Sequence, residues 1–351
     1  MKLGYLLGHL RTGPGPEQAV AEVRAAEAAG FDSVWVNESY GSDAVSMLGW
    51  LAPQTATIGL GAAIMPVPAR PPAAAAMAGA TLDALSGGRF IFGFGPTGPQ
   101  VSEGWYGVPY RKPWGHLREY VGIVREIVAR RGPLEHEGEH YVLPVSGEGT
   151  TGQGKALKLN FHPARDRIPV FVGAIGRRSV EITAEIADGW IPAFFSPETW
   201  TEVWVEHLEA GFERGGRSRE QLEVSPTVQV AIEGDQDAAR AAARGRLALY
   251  LGGMGSRRFN FYGELAARLG YGDVAARAQE LFLDGRQGDA FEAVPDELVD
   301  AVSLIGSERE VGEGLRAFAA AGADRLIAIP VHSDPADRLR TIELLGAFPR
   351  K

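Results

Sequence analysis

The stretch Gly93-Phe94-Gly95-Pro96-Thr97-Gly98-Pro99-Gln100-Val101-Ser102-Glu103-Gly104-Trp105-Tyr106-Gly107 carries five glycines. Without side chains in the way, such a backbone can lie flat against a planar ligand or turn tightly. Both readings, ligand site and structural turn, stand on these residues alone. Gly93, Gly95 and Gly98 have the spacing of a dinucleotide fingerprint. That motif belongs in the first βαβ unit, opens a helix and has an acid about 20 residues on. Here a proline follows Gly98, and the fingerprint reading is rejected.

A second candidate is Gly173-Ala174-Ile175-Gly176-Arg177-Arg178-Ser179-Val180, at the end of an apolar run and before a helical pattern. A strand, a glycine turn and a helix start present free amide N–H groups and a positive dipole end. Arg177 and Arg178 add charge of the sign that end disfavours, so a bound anion compensates both. A phosphate site is the sharper reading, and an exposed basic turn the blander one. His9, directly after the first apolar run, could donate a proton or touch a cofactor. The other six histidines are scattered, and His136 and His140, four apart in a glycine-broken segment, give no metal site. In Ala62-Ala63-Ile64-Met65-Pro66-Val67-Pro68, small residues admit a flat ring and Ile64 could buttress it, though ordinary core filling explains the same pattern. Trp105, Tyr106, Tyr110 and Trp114 either wall a pocket or pack a loop onto a rim, the second being favoured.

The elements that must position these residues alternate. Strand patterns run over Lys2–Leu7, Ser33–Glu38, Thr57–Met65, Arg89–Gly95, Ile168–Ile175, Gly189–Phe195, Glu223–Glu233 and Arg325–Val331. Most are unbroken apolar runs, as parallel strands covered on both faces require. Helical patterns lie between them, including Glu17–Ala29, Pro72–Leu85 and Glu308–Ala321. Ala28-Ala29-Gly30-Phe31-Asp32-Ser33-Val34-Trp35 repeats as Ala320-Ala321-Gly322-Ala323-Asp324-Arg325-Leu326-Ile327, and more loosely at Ala187-Asp188-Gly189-Trp190-Ile191. A repeated helix–glycine–strand unit suits a parallel α/β sheet, and about eight strands favour a (β/α)8 TIM barrel over an open sheet. Two segments interrupt the rhythm, Gly132–Arg167 and Ser256–Ser303 (insertions of about 132–167 and 256–303 in a single domain, 1–351). Each either reaches over the site or decorates the surface.

The 351 residues carry a net charge of -9, against a nucleic-acid partner, and no cysteine, which excludes thiolate chemistry and disulfides. The apolar run from Leu3 to Leu7 is too short for a signal peptide, and no stretch is long enough to span a membrane. A cytoplasmic protein is the expectation. The alanine-rich helix Pro72–Leu85, poor in charge, is a candidate homodimer face.

Leu85-Ser86-Gly87-Gly88-Arg89-Phe90-Ile91-Phe92-Gly93-Phe94-Gly95 resembles the third-helix to fourth-strand signature of luciferase-like monooxygenases. The continuation from Thr97 to Gly107 is similar to the coenzyme F420-dependent branch, including reductases like methylenetetrahydromethanopterin reductase. Ala184-Glu185-Ile186-Ala187-Asp188-Gly189-Trp190 is a further matching block, and the likeness runs from Leu3 to Val331. The resemblance implies a barrel that passes a hydride between the deazaflavin F420 and a small organic substrate. It implies that Asn37 and Glu38 approach the polar edge of the ring. Ala63-Ile64 matches the place of a non-prolyl cis peptide. Gly98, Pro99, Gln100 and Val101 would touch the ring and ribityl chain, and Gly173, Ala174, Ile175, Gly176, Arg177 and Arg178 would hold the phosphate. His9 is the candidate catalytic residue. The sugar-phosphate dehydrogenases of this branch have Asp-His where this chain has Glu38-Ser39, and an acid where it has Pro99, so that activity does not carry over. An FMN-dependent monooxygenase with a reductase partner is the alternative, and a non-catalytic flavin-binding barrel the second.

Overall fold

The computed structural model describes residues 1–9 and 15–349; Leu10 and Arg11, beside the His9 candidate, lie outside the described residues. The predicted strands form as β1 (Lys2–Leu7), β2 (Ser33–Val36), β3 (Gly59–Ala62), β4 (Phe90–Gly95), β5 (Val170–Gly173), β6 (Gly189–Ile191), β7 (Thr227–Ile232) and β8 (Arg325–Pro330). All pair in parallel, in the order β6-β5-β4-β3-β2-β1-β8-β7. Glu223–Val224, just ahead of β7 in the chain, pairs with β6. One run of chain, broken at Ser225-Pro226, therefore serves both ends of the sheet, which curls back on itself. A further strand, Ser303–Gly306, joins the outer half of β7 in parallel.

The inside of the curl is filled by Leu6, Trp35, Phe171, Ile191 and Ile327, with Ile64, Ile91 and Ile329 partly buried above them. Gly61 makes room for the Trp35 indole, whose ring a Cβ would strike. At the amino ends of the strands the interior turns polar. Arg325 donates to Glu223 at 2.6 Å, Lys2 pairs with the other Glu223 oxygen at 2.7 Å, and Trp35 donates to Ser33 at 2.8 Å. The three related Ala/Gly/Asp segments explain themselves here. The carboxylates of Asp32, Asp188 and Asp324 accept amides in the first two positions of neighbouring strands, from Leu3, Val170 and Val224, at 2.9, 2.9 and 2.8 Å. Each repeat thus ends a helix and satisfies a strand start that nothing else would pair.

Outside the sheet pack α1 (Pro16–Ala28), α2 (Pro72–Leu85), α3 (Pro113–Ala129), α4 (Arg177–Ile186), α5 (Gln236–Ala248), α6 (Phe261–Arg268), α7 (Glu308–Ala320) and α8 (Pro335–Ala347). The small residues of α2 face the sheet: a Cβ at Gly79 would collide with Phe92. Its exposed large apolar residues are Met77 and Leu85.

The two irregular segments behave differently. In 132–167, the hairpin His136–Glu137 with Val142–Leu143 sits on the first turns of α3, where the Glu119 carboxylate accepts the amides of Glu139, His140 and Tyr141. Its far end is tied down by Arg165, which forks onto the fully buried Asp83 and donates to the Phe90 carbonyl at 2.7 Å. The segment 256–303 is mostly helical and begins with α6, which reaches the strands' carboxyl ends.

Candidate active site

Backbone conformation marks one end of the molecule. Ser39, Thr97, Phe194 and Glu233 all have left-handed φ, at 50°, 61°, 52° and 59°. They follow β2, β4, β6 and β7, each just beyond a strand's carboxyl end. A non-glycine residue in that region costs about 1–3 kcal/mol, and such residues cluster at functional sites. This is also the end at which parallel barrels carry their chemistry.

Over β3, β4 and β5 the chain forms an apolar seat. The Ala63–Ile64 peptide is cis, at the position the resemblance implies. Ile64 lies across two glycines: a Cβ on Gly95 would stand 2.7 Å from its Cδ1, and one on Gly173 3.2 Å from its Cγ2. Close contact of three strand ends therefore depends on those glycines. Gly98 precedes a short helix, Pro99–Gly104, with Pro99 in its first turn. The proline that argues against a helix in the sequence instead starts one, a position it favours. Gln100 is exposed and Val101 half-buried. The aromatic group beyond β4 pins this loop to the rim. Tyr106 donates to the Ser39 carbonyl at 2.7 Å and Tyr110 to that of Thr97 at 3.2 Å, while Trp105 stays exposed.

The turn Gly173–Arg178 is held on three sides. Trp190 donates its indole N–H to the Ala174 carbonyl at 2.8 Å, and Arg268 donates to that of Ile175. Ser179 both accepts from the Gly176 amide, at 2.9 Å, and donates to its carbonyl, at 2.7 Å. The first amides of α4 have no partner within the helix. Arg178 turns back to Glu181, 2.7 Å away. Arg268, from α6, brings a second guanidinium to this turn; its Nη1 is buried without a partner among the described residues, and its face covers Trp204 at 4.8 Å. Burial, and then the charge of Arg177, hold the Arg268 guanidinium below its ordinary range. Arg177 and Arg268 thus bring two positive charges within electrostatic reach of each other near the start of α4, where free helix amides favour negative charge.

Glu38 and Asn37 end β2. Asn37 is half-buried; Glu38 is 5% exposed, its carboxylate taken up by Arg70 at 2.6 Å and by the Ala44 amide at 3.3 Å. Burial lifts the Glu38 carboxyl against the pull of Arg70. The carboxylate thus braces the strand end through Arg70.

His9 stands against Gly41, where a Cβ would overlap its ring, and its Nδ1 accepts the Ser42 amide at 3.3 Å. Nδ1 being an acceptor, the single proton of the neutral ring sits on Nε2. Burial, and then the charge of Arg246, keep it below the ordinary histidine value of 6.5. Arg246, whose charge acts on His9, lines a cavity of about 40 Å³ together with Ala193, Phe194, Thr227, Gln229 and Tyr250. Phe194, Tyr250 and Tyr262 pack ring against ring, with centroids 6.0, 5.6 and 4.7 Å apart. Gln229, Arg246, Tyr250, Tyr262 and Arg268 carry no motif in the sequence; they come from β7, α5, the turns after α5, and α6, and only the fold brings them to the mouth. A wider cavity, about 610 Å³, is at the opposite end among Lys2, Asp32, Asp188, Glu223 and Asp324. Its aspartates cap strand starts, so it belongs to the architecture.

This α/β chain with a curled parallel sheet, a glycine turn into a helix after β5 and a glycine-lined seat over β3–β5 matches, over residues 1–325, the family model described as luciferase-like monooxygenase. The chain belongs to that family. It is 44% identical over 347 residues, 98% of this chain and 99% of the other, to a Mycobacterium tuberculosis protein named as an inferred coenzyme F420-dependent oxidoreductase. It is 29% identical over 326 residues, 92% of each chain, to 5,10-methylenetetrahydromethanopterin reductase of Archaeoglobus fulgidus. The structure of the coenzyme F420-dependent tetrahydromethanopterin reductase from Methanopyrus kandleri matches with a TM-score of 0.80 at 25% identity, covering 99% of this chain and 97% of that one.

Proposed function

We propose that the protein is an F420-dependent oxidoreductase built on a (β/α)8 barrel, with 132–167 and 256–303 as insertions, that moves a hydride to or from a small organic substrate. The choice of F420 over FMN rests on likeness along nearly the whole chain to relatives named for that cofactor. The residues present fit such a group. The orphaned Nη1 of Arg268 beside Arg177 suits its phosphate, and the seat of Ile64 on Gly95 and Gly173 admits a flat ring. When bound, a deazaflavin supplies a ring carbon that gives or takes hydride.

The chain's own groups do the rest. Arg177, Arg268 and the α4 amides bind the phosphate. Ala63 and Ile64 support the ring, and Gly98, Pro99, Gln100 and Val101 flank it. Phe194, Tyr250 and Tyr262 wall the mouth and exclude water, and holding substrate and ring together contributes to rate by orientation. His9 offers its Nε2–H to a substrate oxygen, polarising it as a neutral donor. The outer face of α2, with Met77 and Leu85 exposed, is the proposed homodimer contact, and a monomer in sedimentation would discard it.

The cofactor assignment is tested by titrating the purified apo-protein with F420 and, in parallel, FMN, following tryptophan fluorescence. Tight binding of F420 alone supports the reading. Tight binding of FMN alone sinks it and favours oxygen chemistry.

A further inference from the structure

Helix α5 carries three arginines with different fates. Arg240 and Arg244 pair with Asp300 and Asp296, on the helix Asp296–Val302 beside them. Arg246, in the last turn, is half-buried and forms no ion pair among the described residues. Its partners there are the Tyr250 hydroxyl at 3.4 Å and the Tyr250 ring, 5.3 Å from the guanidinium carbon. The stretch 10–14, Leu-Arg-Thr-Gly-Pro, has no carboxylate to offer.

This cation lies at the mouth. It lines the small cavity over β6, β7 and β8, and its charge acts on His9. Gln229, which also lines the cavity, is 5% exposed; its amide N–H donates to the Ala243 carbonyl at 3.4 Å and its Oε1 has no partner among the described residues. A half-buried guanidinium over an aromatic ring, with no counter-ion among the described residues, has its fork free for a negative group on a ligand.

We propose that Arg246 anchors the carboxylate of an organic-acid substrate whose apolar part lies among Phe194, Tyr250 and Tyr262. The fork of a guanidinium matches the two oxygens of a carboxylate. A space of about 40 Å³ has room for such a head group, or for one or two waters in its absence. In this reading Arg246 takes the carboxylate, and His9, which feels the Arg246 charge, offers its Nε2–H to a second substrate oxygen. This deepens the hydride-transfer reading and rests on its placing of the substrate at the mouth.

The test uses benzoate and its neutral counterpart benzamide, each titrated into the full-length protein, apo and with F420, by calorimetry. Benzoate is expected to bind saturably and about tenfold or more tighter than benzamide, the size of a charge-assisted hydrogen-bonded contact. R246Q should abolish that preference, R246K should restore part of it, and all three proteins should bind F420 alike, showing that the variants fold. Absence of benzoate binding, equal binding of the two probes, or an unchanged preference in R246Q overturns the proposal. Failure of F420 to bind any of the proteins instead removes the cofactor reading and leaves the Arg246 result to be judged from the apo titrations.

Discussion

The Ser42 amide donates to Nδ1 of His9 across 3.3 Å, and this fixes which ring nitrogen carries the proton. Burial and the charge of Arg246 both disfavour the imidazolium, so His9 is a neutral donor at physiological pH. A ring NMR titration should place its protonation below 6.5, the ordinary value, and R246Q should move it upward. Because the folded ring resists protonation, stability should decline as pH falls through the window just under 6.5. H9A should lower kcat about 10²-fold, the scale of losing one preorganised donor, with little change in F420 affinity. A titration at or above the ordinary value would remove the neutral-donor role.

A second network ties α1 and α8 to the paired strands β1 and β8. Arg338 forks onto the fully buried Glu22 at 2.7 and 3.0 Å, and donates to the Tyr5 hydroxyl at 3.1 Å and the Pro330 carbonyl at 2.7 Å. Burial would raise the Glu22 carboxyl, but its bonds to Arg338 and Tyr5 carry it below the ordinary 4.5. Glu223 is shifted in the same sense by Arg325 and Lys2, again against burial. A carboxyl depressed by folding stabilises above its unfolded pKa, and the gain is lost as pH falls through the folded value. Thermal stability should therefore drop below pH 4.5. R338A, which strands Glu22, should cost about 3–5 kcal/mol, whereas R338M/E22M should recover much of it. Equal losses in the single and double variants would contradict a buried-charge origin.

The family-like signature at Ser86-Gly87-Gly88-Arg89 predicts a structural role rather than a binding one. Gly87 and Gly88 take φ of 67° and 85°, which lets the chain turn from α2 into β4. Arg89 then stitches the preceding loops, donating to carbonyls of Ser86, Ile58, Ala52 and Thr55 at 2.7, 2.6, 3.0 and 3.2 Å. R89A should destabilise by about 2–3 kcal/mol through unsatisfied carbonyls. F420 affinity at a temperature where the variant is folded should not change. A selective loss of affinity would place Arg89 in the site after all.

What the sequence reveals follows from how local each signal is. The strands of the curl are legible because both faces are covered, so each reads as a continuous apolar run. Ser303–Gly306 escapes because four residues, Ser-Leu-Ile-Gly, are too few to show a period. The Gly173–Arg178 turn and the glycine loop after β4 are visible for the same local reason. The aromatic wall is not: Trp105, Tyr106, Tyr110 and Trp114 stand out by clustering in sequence, yet Phe194, Tyr250 and Tyr262 line the mouth from three separate segments. Likewise Arg177 and Arg178 draw the eye, yet Arg178 pairs with Glu181 while Arg268, far along the chain, is the guanidinium that feels the charge of Arg177. Long-range placement of single side chains is a property of the packed fold.

Arg268 is accordingly the sharper target at the phosphate end. R268Q removes the guanidinium from over Trp204 and frees the Ile175 carbonyl, while the α4 start and Arg177 remain. F420 affinity should fall about tenfold or more, and the residual binding should depend less on salt, since one charge fewer meets the phosphate. Fluorescence titrations at two ionic strengths check both parts. Unchanged affinity would mean that Arg268 merely packs α6 on the turn.

The seat over β3–β5 makes the last prediction, because Ile64 is wedged by two glycines. In G95A the new methyl meets Ile64 Cδ1 at 2.7 Å, closer than carbon atoms approach. The clash is with the free end of a side chain, so the fold should absorb it by rotating Ile64, at under about 1.5 kcal/mol. That rotation pushes the side chain off Gly95 and into the space for the ring. G95A should thus lose F420 affinity out of proportion to its stability, and G95A/I64V, which removes the offending carbon, should regain most of it. A double-mutant cycle on affinity measures the coupling directly. Simple additivity of the two changes would show that Ile64 does not transmit the effect of Gly95 to the ring seat.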